Sequence, residues 1–174
     1  MSLMKKLNLI LIRGFLASIF ILFFSLIFAD EIISGNKIKV IDGDTIELSG
    51  KKIRFSGIDA PESFFNGKKQ ICEKDKKKIS CGEISKKKLQ EKLKEKTIYC
   101  QLEQSPDRYG RYLAECFLDS ESISEFMVKN GYAFDYPRYS KKKFANAQLF
   151  AKQNKLGIWS MKFEYPWEWR KKNR

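Results

Sequence analysis

The stretch KIKVIDGDTIELSGKKIRFSGI, residues 37–58, limits the fold more than any other part of the chain. Ile38 and Val40 alternate with polar neighbours, Asp42-Gly43-Asp44 interrupts, and Ile46 and Leu48 resume the alternation. Ser49-Gly50 then leads into a third run carrying Ile53, Phe55 and Ile58, which Pro61 stops. A period of two broken by tight-turn residues predicts three consecutive strands joined by hairpins. The same stretch, with its continuation to Ser63, gathers Asp42, Asp44, Asp59 and Glu62 around Arg54. That is an odd place for acids in a chain with 34 Lys+Arg against 21 Asp+Glu and a net charge of +13.

The rest of the chain supplies fewer strands and more helix. Residues 64–82 read as a lysine-rich loop with Cys72 and Cys81 at its base. EISKKKLQEKLKEK, 83–96, is rich in helix formers, with Ile84, Leu89 and Leu93 on its apolar side. TIYCQL, 97–102, and LAECFL, 113–118, read as strands about the turn SPDRYGRY. Helices are predicted over 122–131, ending on Gly131, and over 141–157, with Phe144, Ala147 and Ala151 on one face. Three hairpin-linked strands, a loop and helix, two more strands and further helices are the element order of an α+β fold. It is a five-stranded OB-type Greek-key barrel with about three α-helices, an architecture that binds oligonucleotides across one face.

Charge and export signals bound the function classes. A basic surface draws polyanions or anionic lipid, although a run of lysines is often no more than a solvated face. No histidine is present. This excludes histidine-based triads, histidine general bases and histidine-ligated zinc. Lys5, Lys6 and Arg13 precede the uncharged run of residues 14–29, and Ala29 offers a small residue for cleavage. Residues 1–29 thus read as a signal peptide or, if uncleaved, an N-terminal membrane anchor through residues 14–29. Either leaves residues 30–160 as one exported domain, secreted or periplasmic, followed by the aromatic and basic tail 161–174. The tail has no role derivable from its residues. Cys72, Cys81, Cys100 and Cys116 all follow the leader, without a C-x-x-C, and two disulfides are expected in an oxidising compartment. Three pairings are possible. A hairpin about SPDRYGR brings Cys100 beside Cys116, and Cys72 and Cys81 flank one short loop, which favours these two pairs.

Four segments taken together, VIDGDTIEL, IRFSGIDAPE, DRYGRYLAE and KLGIW, resemble the signature segments of the staphylococcal nuclease family, in order and spacing, from Ile38 to Trp159. The resemblance implies an OB-type barrel with three helices and calcium-dependent hydrolysis of DNA and RNA. It makes Asp44, Asp59 and the main-chain carbonyl of Ala60 ligands of Ca2+, Arg54 and Arg111 the phosphate clamps, and Glu62 the general base or at least the group that orders the attacking water. Arg108 and Tyr109 are candidate substrate contacts. Asp42 reads as a turn residue behind the ligands, and Tyr136 and Tyr139 as packing residues or stacking platforms. Ala60 stands where the well-known member has Thr, and Gln148 where the family tends to carry Glu. A nucleic-acid-binding OB module without catalysis is the alternative, and a lipid-binding envelope protein a third reading. A monomer is the default expectation.

The chemistry stands without the family. A phosphodiester anion repels nucleophiles, so its cleavage needs neutralised phosphoryl oxygens and an activated water. Calcium takes oxygen donors such as carboxylates and carbonyls and acts as Lewis acid and template. Arginine's planar fork meets phosphate oxygens two at a time.

Overall fold

The acid-bearing stretch folds as the three strands that its alternation predicts: β2 (Ile38–Asp42), β3 (Thr45–Leu48) and β4 (Lys51–Phe55). The computed structural model describes residues 31–103, 106, 107 and 109–174. The leader 1–29 and the candidate contact Arg108 lie outside the described residues. A strand not foreseen, β1 (Ile32–Gly35), precedes β2, and a two-residue strand β5 (Ile58–Asp59) follows β4. Further along come β8 (Ile98–Leu102), β9 (Arg111–Leu118) and the short β10 (Glu121–Ser122) and β11 (Phe134–Asp135).

The main sheet runs β1-β8-β9-β4-β3-β2, with β10 beside β9. Its two end strands are consecutive in the chain, joined through Asn36 and Lys37. One bent segment therefore serves both ends of the sheet, and the strands curl until Gly35 lies against Ser49 and Leu48. This is the five-stranded OB-type arrangement, its first strand broken into β1 and β2. β4 and β9 pair in parallel, with Arg54 opposite Leu113; the other pairs in this sheet are antiparallel. Ile46, Leu48, Ile53, Phe55, Ile98 and Ala114 fill the interior. Successive strand residues face opposite ways, so Arg54, between Ile53 and Phe55, points away from that interior.

Both favoured disulfides are present. Cys100 and Cys116 are directly opposed across β8 and β9, and Cys72 joins Cys81. The segment between the latter is not the loop expected. It forms a hairpin of β6 (Ile71–Lys74) and β7 (Lys77–Ser80). Its two turn residues, Asp75 and Lys76, take φ of 51° and 62°, a left-handed pair that usually announces itself as Asn-Gly, so the lysine run hid the turn.

Helix α1 (Cys81–Leu93) turns Leu89 and Leu93 into the core, and α2 (Ile123–Lys129) is capped by the Ser122 hydroxyl, which accepts the Glu125 amide at 3.2 Å. The helix expected over 141–157 is shorter. Pro137 opens a single turn, α3 (Pro137–Ser140), then Lys141 and Lys142 adopt left-handed φ of 52° and 68°, and α4 spans Ala145–Gln153. Phe144, Ala147 and Ala151 are buried as foreseen. Gln148 makes its hydrogen bond despite not being Glu: its Oε1 accepts the Asp135 amide at 3.0 Å.

The tail is structured. After a 3-10 turn, Gly157–Ser160, helix α5 spans Pro166–Lys172 with proline in its first turn, where a missing N–H costs nothing. Phe163, Tyr165 and Trp167, with Trp159, pack around the buried Phe134 at ring separations of 5.0 to 6.4 Å. Among the described residues no helix is long and apolar enough to cross a membrane.

Candidate active site

The acids foreseen from the sequence converge on the outer face of β3 and β4. The turn at Gly43 puts Asp44 at the head of β3, and the return of the chain through β5 brings Asp59 alongside. Asp44 accepts the Thr45 hydroxyl at 2.8 Å and the Ala60 amide at 2.9 Å. Arg54 donates Nη1 to Asp44 at 2.8 Å and Nη2 to Asp59 at 2.7 Å, so one guanidinium spans both carboxylates. A strand arginine is ordinarily a solvated edge charge; this side chain is only 17% exposed.

Two glycines allow the approach. A Cβ on Gly43 would meet Ser85 Oγ at 2.0 Å and Ala60 Cβ at 2.8 Å. A Cβ on Gly82 would meet the Glu62 carbonyl at 2.0 Å. The start of α1 is thereby pressed against the loop that carries Ala60 and Glu62. Gln70, fully buried, holds the same loop: its Oε1 accepts the Glu62 amide at 3.1 Å, and its own amide donates to the Glu62 carbonyl at 3.0 Å. Asp42 sits behind, accepting the Gly43 amide at 2.8 Å and the Ser63 amide at 3.2 Å.

One member of the cluster was invisible in the sequence. Arg170, from α5, donates Nη1 to Asp59 Oδ1 at 3.0 Å and Nη2 to Asp59 Oδ2 at 2.7 Å, and Nη1 also reaches Glu62 Oε1 at 2.5 Å. The available signal was Pro166 opening a helix in PWEWRKK, which set an arginine one turn on; nothing in the residues pointed it at Asp59.

The site holds more acids than bases, and burial raises Asp42, Asp59 and Glu62. Asp42, Asp44, Asp59 and Glu62 face two guanidiniums, a formal balance of −2 when all are ionised. Burial opposes ionisation of Asp44, yet Arg54, the Ala60 amide and the Thr45 hydroxyl hold its carboxyl below the usual range. Burial, with the charges of Asp44 and Glu62 added, pushes Asp42 up to about 7 against the pull of its two amides. Burial and Asp44 raise Glu62 as well, with Arg170 opposing.

Other expected site residues make contacts of their own. Arg111 opens β9 opposite Lys52, and its Nε and Nη2 donate to Asp107 Oδ2 at 3.1 and 2.8 Å. Its guanidinium lies over the Tyr109 ring, 5.3 Å from the centroid. Among the described residues its salt bridge is to Asp107, not to the carboxylate cluster. Tyr109 is 62% exposed. Tyr136 stacks on Trp167 at 4.9 Å, and Trp167 in turn on Tyr165 at 4.6 Å. Tyr139 is exposed, edge-on to Tyr136. The lysines of β6 and β7 stand on an exposed hairpin.

No three carboxylate or thiol side chains among the described residues form a ready metal cage. A cation here would draw on Asp44, Asp59, the Ala60 carbonyl and solvent. These donors are all hard oxygens, the set calcium prefers, and the negative balance suits a divalent ion.

Comparison with known proteins agrees with this picture. Residues 52–161 match the family model described as staphylococcal nuclease homologue. The chain is 33% identical over 129 residues to the succinoglycan biosynthesis protein ExoI of Rhizobium meliloti, covering 72% of this chain and 64% of that one. It is 30% identical over 145 residues to the staphylococcal-like nuclease CAN1 of Arabidopsis thaliana, covering 82% and 40%. An uncharacterized endonuclease of Escherichia coli O157:H7 is 33% identical over 145 residues, covering 79% of this chain and 85% of its own length. The match thus spans under two thirds of the first two relatives. With its OB-type sheet, its carboxylates around Arg54 and a family match over more than half its length, the chain belongs to the staphylococcal nuclease family.

Proposed function

We propose that this chain is an exported, calcium-dependent nuclease that hydrolyses phosphodiester bonds of DNA and RNA. The observation that carries the reading is that Asp44 and Asp59 meet on Arg54, with Glu62 brought to Asp59 through Arg170, so that three carboxylates gather at one place in a basic protein. Asp44, Asp59 and the Ala60 carbonyl would hold the calcium ion, which when bound supplies charge neutralisation at the phosphoryl group. Glu62, on the loop fixed by Pro61 and Gln70, takes the proton of the attacking water, and burial has already raised its proton affinity for that task. Arg54 orients the two ligand carboxylates and presents its remaining edge to phosphate. Arg111, whose guanidinium is bound by Asp107, is assigned the second phosphate contact, and Arg108 and Tyr109, its neighbours in sequence, are assigned contacts to the substrate strand. Two disulfides support export, since such bonds persist in oxidising compartments. The leader 1–29 would deliver the domain there, cleaved or as an anchor.

The alternative, a binding module without catalysis, is favoured by one observation: Arg170 engages both Asp59 and Glu62. A single assay separates the two. Single-stranded DNA and RNA are incubated with the chain in calcium, in excess chelator, and after calcium is restored. The nuclease reading expects cleavage that disappears and returns. Retention of substrate without cleavage under every condition favours the binding module, and full cleavage in chelator removes the calcium assignment.

A further inference from the structure

Arg170 is 111 residues from Asp59 in sequence and is not delivered by a loose tail. Trp167, three residues before it, is stacked between Tyr136 and Tyr165. Trp169 packs edge-on to Phe65 at 6.2 Å. Beyond it, the Asn173 carbonyl accepts Asn66 Nδ2 at 3.2 Å, and the Asn173 side chain accepts Lys68 Nζ at 3.1 Å. The Glu164 carbonyl accepts Gln70 Nε2 at 2.7 Å. Helix α5 is therefore docked on the very loop that carries Glu62, and its arginine side chain is 19% exposed.

We infer that Arg170 is a positioning residue of the candidate active site: its single guanidinium locks Glu62 against Asp59 and, by doing so, weakens the hold of the site on a divalent cation. The inference rests on the nuclease reading and adds a residue to it. Glu62 has three rotatable side-chain bonds, and Arg170 is its salt-bridge partner among the described residues. A base must stay within hydrogen-bond reach of its water, so a fixed Glu62 serves the reaction better than a wandering one. The same fork takes Oδ1 and Oδ2 of Asp59, where Arg54 already engages Oδ1. A cation that ligates Asp59 must share or displace a guanidinium and sits beside its positive charge. Aim at Glu62 and affinity for the cation therefore pull in opposite directions.

This opposition supplies the test, because a merely structural role moves both quantities the same way. In the full chain, Arg170→Met keeps the length and apolar stem but removes charge and donors. Arg170→Lys keeps the charge but loses the planar fork that takes both Asp59 oxygens while holding Glu62. Calcium binding is measured by titration calorimetry without substrate, and kcat on single-stranded DNA at saturating calcium, with circular dichroism to establish folding. For Arg170→Met, calcium should bind about tenfold tighter, as expected when a like charge in direct contact is removed, while kcat falls about 10–100-fold, the usual worth of a group that orients a ligand or base. Arg170→Lys should keep calcium affinity within about threefold of wild type and recover only part of kcat; this arm decides the matter if the Met variant fails to fold. Weaker calcium binding together with a lower kcat in a folded variant, or full kcat in either variant, overturns the inference. If the wild type itself hydrolyses nothing with calcium, the nuclease reading fails; if it hydrolyses and Arg170→Met matches it, only the role of Arg170 fails.

Discussion

Gln70 donates Nε2 to the Glu164 carbonyl at 2.7 Å while its Oε1 accepts the Glu62 amide at 3.1 Å. One fully buried side chain thus ties the Glu62 loop to the tail that delivers Arg170. Gln70→Leu leaves both backbone groups without that partner, and an unsatisfied buried group costs about 1–3 kcal/mol. The expected result is a lower melting temperature and faster cleavage by a protease in the 161–166 segment, with the barrel resistant. Urea melts and mass spectrometry of limited digests read both. Unchanged digestion would mean that the aromatic cluster alone seats the tail.

Gly82→Ala should be more damaging than a single methyl suggests. The new Cβ falls 2.0 Å from the Glu62 carbonyl, which is backbone and cannot swing aside. Overpacking of this kind costs roughly 1–3 kcal/mol, and here the strain moves the loop that carries Glu62. Activity should fall further than stability predicts, measured as kcat at a temperature where the variant remains folded by circular dichroism. A variant with full activity would show that the loop position is not critical.

The Asp107–Arg111 pair gives a pH dependence of definite sign. The slight burial of Asp107 works to raise its pKa, but the Arg111 guanidinium and the Arg111 and Tyr109 amides outweigh it and hold the carboxyl below its ordinary range. A carboxylate depressed in the folded state stabilises above its unfolded pKa, about 3.9, and loses that contribution as pH falls through the folded value. The melting temperature of Asp107→Asn should therefore lie below wild type at pH 7 and converge with it in acid, below pH about 3.9. The gap should be small, because exposed pairs contribute about 0–1 kcal/mol. A gap that widens in acid would contradict the pairing.

The two disulfides should separate by function. Each closes a short loop, with sequence separations of 9 and 16, so each removal should cost roughly 3 kcal/mol on the loop-entropy account. Cys72–Cys81 anchors the segment that begins at Gln70, so replacing that pair by Ser should lower kcat as well as stability. Replacing Cys100 and Cys116, inside the barrel wall, should lower stability alone. Thermal melting and kinetics of the two double variants decide it; equal kinetic losses would remove the distinction.

What was legible in the sequence followed from proximity along the chain. Asp44, Arg54, Asp59 and Glu62 fall within one run of hairpin-linked strands, where alternation and turns fix which side chains meet. The Cys100–Cys116 pair was legible for the same reason. Strand β1 was not, because IISG is too short to show a period and acts only by completing β2 across the bend at Asn36. The 71–80 hairpin was hidden by Lys76, which stands where such a turn usually carries Gly. Gln70 and Arg170 were out of reach altogether. Both depend on where the aromatic tail packs, and that is decided by Phe134 and its neighbours rather than by any local pattern.

The most direct test of the central claim is Glu62→Gln, measured for kcat on single-stranded DNA with calcium and for DNA affinity in parallel. The expected result is a folded protein with nearly wild-type affinity and a kcat reduced by about 10²–10⁴, the usual worth of a positioned general base. A kcat equal to wild type would contradict it and move the chemistry away from the Asp44–Arg54–Asp59–Glu62 cluster.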